Sequence, residues 1–470
     1  VTDVTVVNGL GRVHLLGIGG VGMSGIARLL RGRGVEVSGT DAVPSPTLDS
    51  LRELGISTSV GHDPANLDGL GAGDTLVVSS AVRANNPELL AARDLGMRVL
   101  HRSEALAALM VGRRGVAVAG THGKTTTSSM LTVALTAAGL DPASAIGGEM
   151  TGGSDGGARD GAGPFVAEAD ESDGSFRAYA PVVDVVTNVE PDHLDHYGTA
   201  EAYAAAFEEF VARLLPGGLL VACADDPGAV ALTEHARARG IRVRTYGTSA
   251  GADVRLEDVR PDVSPSAVLV DPLSATAGHR ELRLVVPGHH NLLNATAAYC
   301  AAVELGADPV AVLAGLAGFG GARRRFELKG EVAGVRVVDD YSHHPTEVEA
   351  ALRAARPVAG DGRVVVVFQP HLVSRTRTFA SEFGRALGLA DEVFVLDVYV
   401  AREDPDPDVT GALVADAVPL PPGHVHFLPD RAEAAAVLAS TVRPGDLLLT
   451  VGAGDVTGVG PEVLALLAAR

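Results

Sequence analysis

Twice in this chain a short apolar run breaks at a cluster of glycines and passes directly into helical spacing. The two stretches are "VHLLGIGGVGMSGIARLL" from Val13 and "VAVAGTHGKTTTSSMLTVAL" from Val116. Parallel strands need long crossovers and helices supply them, so repeated strand–loop–helix units predict parallel α/β layers. "TLVVSS" and "MRVLHR" extend the first region, and "FVAEAD" and "DVVTNVE" the second. A third region, after "GGARRRFE", carries "VRVVDD", "RVVVVFQP", "EVFVLDV" and "DLLLTVGAG". At 470 residues the chain is too long for one core. The expected class is α/β with three consecutive domains, 1–111, 112–320 and 321–470. The glycine-rich "TGGSDGGARDGAGP" between strands of the second region is expected to be a mobile surface loop.

Composition removes several function classes. A formal net charge of −20 disfavours phosphate-backbone binding, and 4% aromatic residues with no Trp leaves little for stacking single-stranded bases. No apolar run approaches the ~18–20 residues of a membrane span. The first residues lack the basic, apolar and small-residue pattern of a secretory leader. Cys223 and Cys300 sit in apolar stretches, so buried inert thiols are expected rather than a disulfide framework. These readings predict a cytoplasmic protein without nucleic acid or membrane insertion. Lysine is nearly absent. Any lysine chemistry must use Lys124 or Lys329.

The first loop, Gly17-Ile-Gly19-Gly20-Val-Gly22, has the G-x-G-x-x-G spacing after a strand, with Asp41 where a ribose acid falls. Small residues there let backbone amides approach a pyrophosphate at a helix N-terminus. A tight structural turn is the plain alternative, and NAD(P) is one natural ligand. The second loop, Gly120-Thr121-His122-Gly123-Lys124-Thr125, is two residues short of the usual phosphate loop, with Val118 where glycine would stand. Its amides can cradle phosphate oxygens, Lys124 can meet β- and γ-phosphates, and a threonine hydroxyl can bind Mg²⁺.

Carboxylates at the end of a strand can hold Mg²⁺ opposite such a loop, and "EADESDGSF" from Glu168 offers four. A solvated acidic turn is the alternative. "NVEPDHLDHYG" places His193 and His196 at i, i+3, but oxygen-rich neighbours and the absence of nearby cysteine favour magnesium over zinc. "GHHNLLNATAA" puts Asn291 and Asn294 one helical turn apart, suited to an adenine edge or to capping. "ARRRFE", "DDYSHHPTE" and "QPHLVSRTRT" add arginines and histidines suited to a carboxylate or phosphate.

Taken in order, "GIGGVGMSGIA", "GTHGKTTT", "EADESD", "NVEPDHLDHYG", "GHHNLLNA", "DDYSHHPTE" and "QPHLVSRTR" resemble the Mur ligase family over nearly the whole chain. The resemblance implies a Rossmann-like UDP-sugar domain, a P-loop-type central ATPase and a Rossmann-like C-terminal domain. It also implies ATP-dependent amide synthesis, in which the lactoyl carboxylate of UDP-N-acetylmuramate takes the γ-phosphate and L-alanine attacks the acyl phosphate. Catalysis would then be mostly positioning and charge neutralisation. Gly17, Gly19, Gly20, Gly22, Asp41 and Ser80 would bind the UDP-sugar. The ATP set would be Gly120, Thr121, His122, Gly123, Lys124, Thr125, Thr126, Asn291, Asn294, Arg325 and Asp340. Tyr341, His343, His371 and Arg375 would surround the amino acid or the reacting carboxylate. Thr125, Glu168 and His193 would bind two Mg²⁺ ions, with Mn²⁺ able to substitute. Lys124, Glu168, His193 and His343 would be catalytic. A monomer or homodimer is expected.

Two departures stand out. Family members with a carbamylated lysine near the second metal have no counterpart here, because no lysine lies between 124 and 329; Glu208 or Glu209 is the expected substitute. Leu372 replaces a basic residue, which predicts a weaker or differently arranged amino-acid site. The alternatives are a ligase attaching a ready-made tripeptide to the same sugar nucleotide, a nucleotide-sensing protein with a degenerate site, and an NAD-dependent oxidoreductase.

Overall fold

The computed structural model describes residues 7–151, 157–272, 278–401 and 403–470. The first sheet contains β1 (Val13–Leu16), β2 (Val37–Asp41), β3 (Ser57–Val60), β4 (Thr75–Val78) and β5 (Arg98–His101). Its crossovers are α1 (Val21–Gly32), α2 (Pro46–Glu53), α3 (Pro87–Asp94) and, after β5, α4 (Arg102–Met110). All pairs are parallel in the order β3-β2-β1-β4-β5. The order reverses between β1 and β4, so the loops after Leu16 and Val78 flank the crevice where such sheets bind ligands.

The second sheet begins with β6 (Gly115–Ala119), followed by α5 (Lys124–Ala137), β7 (Ala143–Ala145), β8 (Ala158–Arg159) and β9 (Phe165–Glu168). Next come β10 (Val183–Val186), α6 (Leu194–Tyr197), α7 (Ala200–Val211), β11 (Leu219–Cys223), α8 (Pro227–Ala238) and β12 (Arg242–Gly247). It ends with β13 (Val254–Arg260), β14 (Ser266–Asp271) and β15 (Gly278–Arg283), before helices α9 (His289–Glu304) and α10 (Pro309–Ala317). The ten strands run β15-β14-β13-β12-β11-β10-β6-β9-β7-β8. β6 therefore lies between β10 and β9, parallel to both.

The third sheet runs β16-β17-β21-β18-β19-β20. Its strands are β16 (Glu327–Val332), β17 (Val335–Asp340), β18 (Val364–Phe368), β19 (Glu392–Leu396), β20 (Val425–Leu428) and β21 (Leu447–Val451). The helices here are α11 (Pro345–Ala359), α12 (Val373–Leu387), α13 (Ala412–Ala415), α14 (Arg431–Thr441) and α15 (Val459–Ala468). Only β16 is antiparallel to its neighbour.

Central strands such as "GVAVA" in β6, "VVVVF" in β18 and "LLLTV" in β21 are buried along their whole length. Helices cover both faces, which is why these strands read as unbroken apolar runs. The α/β class with three consecutive domains is thus the observed one. By packing, the chain forms two compact units: Val1–Glu257, Leu269–Arg280 and Leu293–Leu316 in one, and Asp258–Val268, Glu281–Leu292 and Ala317–Arg470 in the other.

The expected loop "TGGSDGGARDGAGP" needs correction where it is described. Residues 152–156 lie outside the described residues, but Ala158 and Arg159 form β8, antiparallel to β7. Buried Ala158 and an ion pair from Arg159 to Asp141 at 2.7 Å hold that strand. Cys223 and Cys300 are buried, their thiols pushed up to about 11 and about 12 by burial. Among the described residues no helix is long and apolar enough to cross a membrane.

Candidate functional site

The second glycine loop leaves β6 at Ala119 and turns into α5 at Lys124. Gly120 has φ 132°, and a Cβ there would lie 2.0 Å from Thr187 Oγ1. Gly123, at φ 83°, is the left-handed residue before the helix. Both positions need glycine because L side chains rarely adopt such φ values. The loop is braced from the segment after β10. Thr121 N donates to Asn188 O at 3.2 Å, His122 N to Asn188 Oδ1 at 2.8 Å, and Thr121 Oγ1 to Glu190 O at 2.8 Å. Asn294 lies against Gly123, with its Oδ1 2.7 Å from where a Cβ would stand.

Lys124 folds back into this loop. Its Nζ donates to Gly120 O at 2.7 Å, Thr121 O at 3.1 Å and Glu171 Oε1 at 2.9 Å. Burial alone would lower its pKa, but Glu171 and Asp170 outweigh that and hold it above the ordinary value. Burial pushes Glu171 up to about 7 against the pull of Lys124. Asp170 goes the other way: despite burial, Arg102 and Lys124 hold it down at about 2.

Glu168 closes β9 beside the loop, accepting from Thr125 Oγ1 at 2.9 Å and from Gly147 N at 2.7 Å. Thr126, next in α5, is buried. His193, at φ 52°, points Nε2 to within 3.7 Å of both Glu171 Oε1 and Asp192 Oδ2. His122 Nε2 lies 3.1 Å from Glu190 Oε2. Lys124, Thr125, Glu168 and His193 therefore gather at the carboxyl ends of three adjacent strands, β9, β6 and β10. A threonine hydroxyl and carboxylate converging beside a phosphate loop form the hard oxygen set that suits Mg²⁺.

The first glycine loop follows β1. Gly19 N donates to Asp41 Oδ2 at 2.9 Å, and a Cβ on Gly19 would meet that same oxygen at 2.9 Å. Asp41 also accepts from Val43 N at 3.4 Å, so its carboxylate secures the loop. Gly17 has φ 72°, while Gly20 precedes α1 in extended conformation and Gly22 lies in its first turn. Ser80 Oγ sits 3.2 Å from His101 Nε2 and donates to Asp173.

In the other unit, Asp340 ends β17 and accepts from Phe326 N at 2.7 Å and Ser342 N at 2.9 Å. Arg324 and Arg325 lie over the Tyr341 ring at 4.7 and 5.2 Å. His343 Nδ1 is 3.1 Å from Tyr341 O, and its ring lies 6.1 Å from that of His371. Arg375 Nη1 is 3.5 Å from His371 Nδ1. Tyr341, His343, His371, Arg375 and Arg325 thus form one group. Asn291 is tied by its Nδ2 to Pro287 O at 2.7 Å.

Both departures take a different form in the structure. Glu208 pairs with His235 at 3.3 Å and Glu209 with Arg177, whereas the carboxylates at His193 are Glu171 and Asp192. Leu372 is buried at φ 71° before α12, so its side chain is part of the interior. Sequence reasoning missed two residues. Glu171 was one of four carboxylates in "EADESD", undistinguished by position, and Arg102 carried no local motif. Its place directly after β5, the edge strand of the first sheet, was the only available signal.

Residues 12–114 match the Mur ligase family catalytic domain, 118–302 the Mur ligase middle domain, and 324–454 the Mur ligase glutamate ligase domain. A UDP-N-acetylmuramate–L-alanine ligase of Kineococcus radiotolerans is 84% identical over 461 residues, covering 98% of this chain and 97% of that protein. The crystal structure of UDP-N-acetylmuramate–alanine ligase from Thermotoga maritima superposes with TM-score 0.80 at 30% identity, over 97% of this chain and 99% of that one. UDP-N-acetylmuramate:L-alanyl-γ-D-glutamyl-meso-diaminopimelate ligase from Neisseria meningitides is similar at TM-score 0.59 and 28% identity, over 67% of this chain and 100% of that one.

Proposed function

The chain belongs to the Mur ligase family, and from that premise we infer that it is an ATP-dependent ligase joining L-alanine to UDP-N-acetylmuramate in peptidoglycan precursor synthesis. The 84% identity to an alanine-adding enzyme, against 28% to the tripeptide-adding one, favours the single amino acid as substrate. The observation carrying the chemistry is the gathering of Lys124, Thr125 and Glu168 where three parallel strands end.

A carboxylate is a poor electrophile, so the reaction needs a leaving group. The lactoyl carboxylate oxygen attacks the γ-phosphorus of ATP and ADP departs. The amine of L-alanine then attacks the acyl carbon, and phosphate leaves as the amide forms. Lys124 exchanges Glu171 and the loop carbonyls for β- and γ-phosphate oxygens, while the loop amides fix their direction. Thr125 and Glu168 would hold Mg²⁺, which would supply charge neutralisation on those phosphates. We assign a second ion to His193 with Glu171, the adenosine to Asn291, Asn294, Arg325 and Asp340, and the UDP-sugar to Gly17–Gly22 with Asp41 and Ser80. His343, His371 and Arg375 are assigned to the amino acid, the guanidinium to its carboxylate.

The test is phosphate release from ATP and Mg²⁺ with UDP-N-acetylmuramate, run with L-alanine, with the tripeptide and with no amine. Turnover with L-alanine alone is expected. Turnover with the tripeptide alone would move the enzyme to peptide recycling. Lys124→Ala should lose at least ~100-fold in kcat and keep UDP-sugar binding, because the two loops serve different ligands. Near-normal kcat in that variant would overturn the site assignment.

A further inference from the structure

The third sheet has a switch point of its own. β18 and β21 are parallel neighbours, yet the chain leaves β18 into α12 on one face and leaves β21 into α15 on the other. The crevice outside the carboxyl ends of strands at such a reversal is where open α/β sheets bind ligands. A cavity of about 380 Å³ lies at those ends. It is lined by Gln369 after β18, Asp397 and Tyr399 after β19, Arg431 at the start of α14 and Asp455 after β21. Among the described residues that line it, none belongs to the group Tyr341, His343, His371 and Arg375. Tyr399 joins the two. Its ring lies against that of His371, with centroids 5.9 Å apart and planes 13° from parallel.

The ring is held in that place. Tyr399 N donates to Pro370 O at 2.8 Å and Leu372 N to Tyr399 O at 3.0 Å, so backbone pairing carries Tyr399 alongside His371. Gly454 makes room for it. The φ of −84° at Gly454 suits any residue, but a Cβ there would lie 2.8 Å from Tyr399 Cγ and would also strike Gln369 Oε1. The neighbouring side chains, not the backbone, are what require glycine at this position.

We propose that Tyr399 is a specificity-determining residue, whose ring separates the amino-acid site from the adjoining cavity and limits the substrate to a short side chain. This rests on the assignment of His343, His371 and Arg375 to L-alanine. A methyl group needs no room beyond the ring, whereas a longer chain would have to displace it. Without the ring, the site and the cavity become one space, and the lining then selects by charge. Asp397 accepts from Val398 N at 2.9 Å and Gly411 N at 3.0 Å, and Asp455 accepts from Gln369 Nε2 at 2.8 Å. Arg431 is already paired with Glu462 at 2.9 Å. Two carboxylates beside one arginine that has its partner suit a cationic end. The class admitted would be L-amino acids whose side chains end in an ammonium group.

The test measures phosphate release by the whole enzyme from ATP and Mg²⁺ with UDP-N-acetylmuramate, using L-alanine, L-ornithine, L-norvaline and L-glutamate in turn. In Tyr399→Ala the kcat/KM ratio of L-ornithine to L-alanine should rise at least ~10-fold over wild type, with a smaller rise for L-norvaline and none for L-glutamate. Tyr399→Phe, which keeps the ring, should keep the wild-type ratios. Adding Asp455→Asn to Tyr399→Ala should erase the advantage of ornithine over norvaline. Unchanged ratios in Tyr399→Ala, or an equal rise in Tyr399→Phe, overturn the proposal and leave the functional reading intact. A rise for glutamate equal to that for ornithine overturns the selection by charge. Absence of wild-type turnover with L-alanine overturns the functional reading itself, and an unchanged KM for L-alanine in His371→Ala overturns the amino-acid assignment. The ring is 39% exposed, so its removal takes little from the core. Should Tyr399→Ala still fail to fold, Tyr399→Val also removes the ring and decides.

Discussion

His290 shows how burial sets protonation in this chain. Burial, helped by His289 and Arg325 and opposed by Glu347, pushes its pKa down to about 4. An unfolded histidine titrates near 6.5. The unfolded chain therefore binds this proton first as pH falls, so the stabilisation is complete above about pH 6.5 and is lost progressively towards pH 4. The shift corresponds to about 3 kcal/mol at most. Thermal melting of His290→Asn should show a shallower acid-side fall between pH 6.5 and pH 4 than the wild type; an identical slope would contradict the burial argument. Glu171 makes a related point about legibility. Four carboxylates in "EADESD" look alike as a string, and only the fold decides that Glu168 meets Thr125, Glu171 meets Lys124 and Asp170 meets Arg102.

At the scale of elements, the phosphate loop is set by φ values and by the strand beside it. Gly120→Ala would place a methyl 2.0 Å from Thr187 Oγ1 and 3.0 Å from Thr187 N, at a φ that alanine resists. Two costs combine there, backbone strain and a clash with the end of β10, so the expected destabilisation exceeds ~2 kcal/mol. Denaturant melts would read it, together with a loss of ATP-analogue affinity measured by calorimetry. A variant that kept both would show that the loop can shift without Thr187. Strand–loop–helix punctuation made β6 and α5 legible, because apolar runs, glycines and helical spacing are local signals. β8 was not legible. Its two residues form a strand only because β7 lies alongside and Asp141 meets Arg159, neither of which local sequence displays.

Across the whole molecule, a net charge of −20 and only two lysines bound what the protein can touch. Fluorescence anisotropy with duplex DNA at ~50 mM salt should show no binding in the micromolar range, since counterion release requires clustered basic charge. Salt-sensitive binding there would reveal a basic face that composition hides. The chain's own residues determined the α/β class, the two glycine loops and the identity of the available lysine. Those features depend on periodicity, on glycine's conformational freedom and on counting, all of which act over short stretches. Tertiary structure alone decided that β6 lies between β9 and β10, that Asp41 at the end of β2 secures the loop after β1, and that Arg102 and Lys124 share one acidic turn. Those facts depend on which strands become neighbours, and a hydrogen bond or ion pair of about 3 Å forms only after distant segments have been packed together.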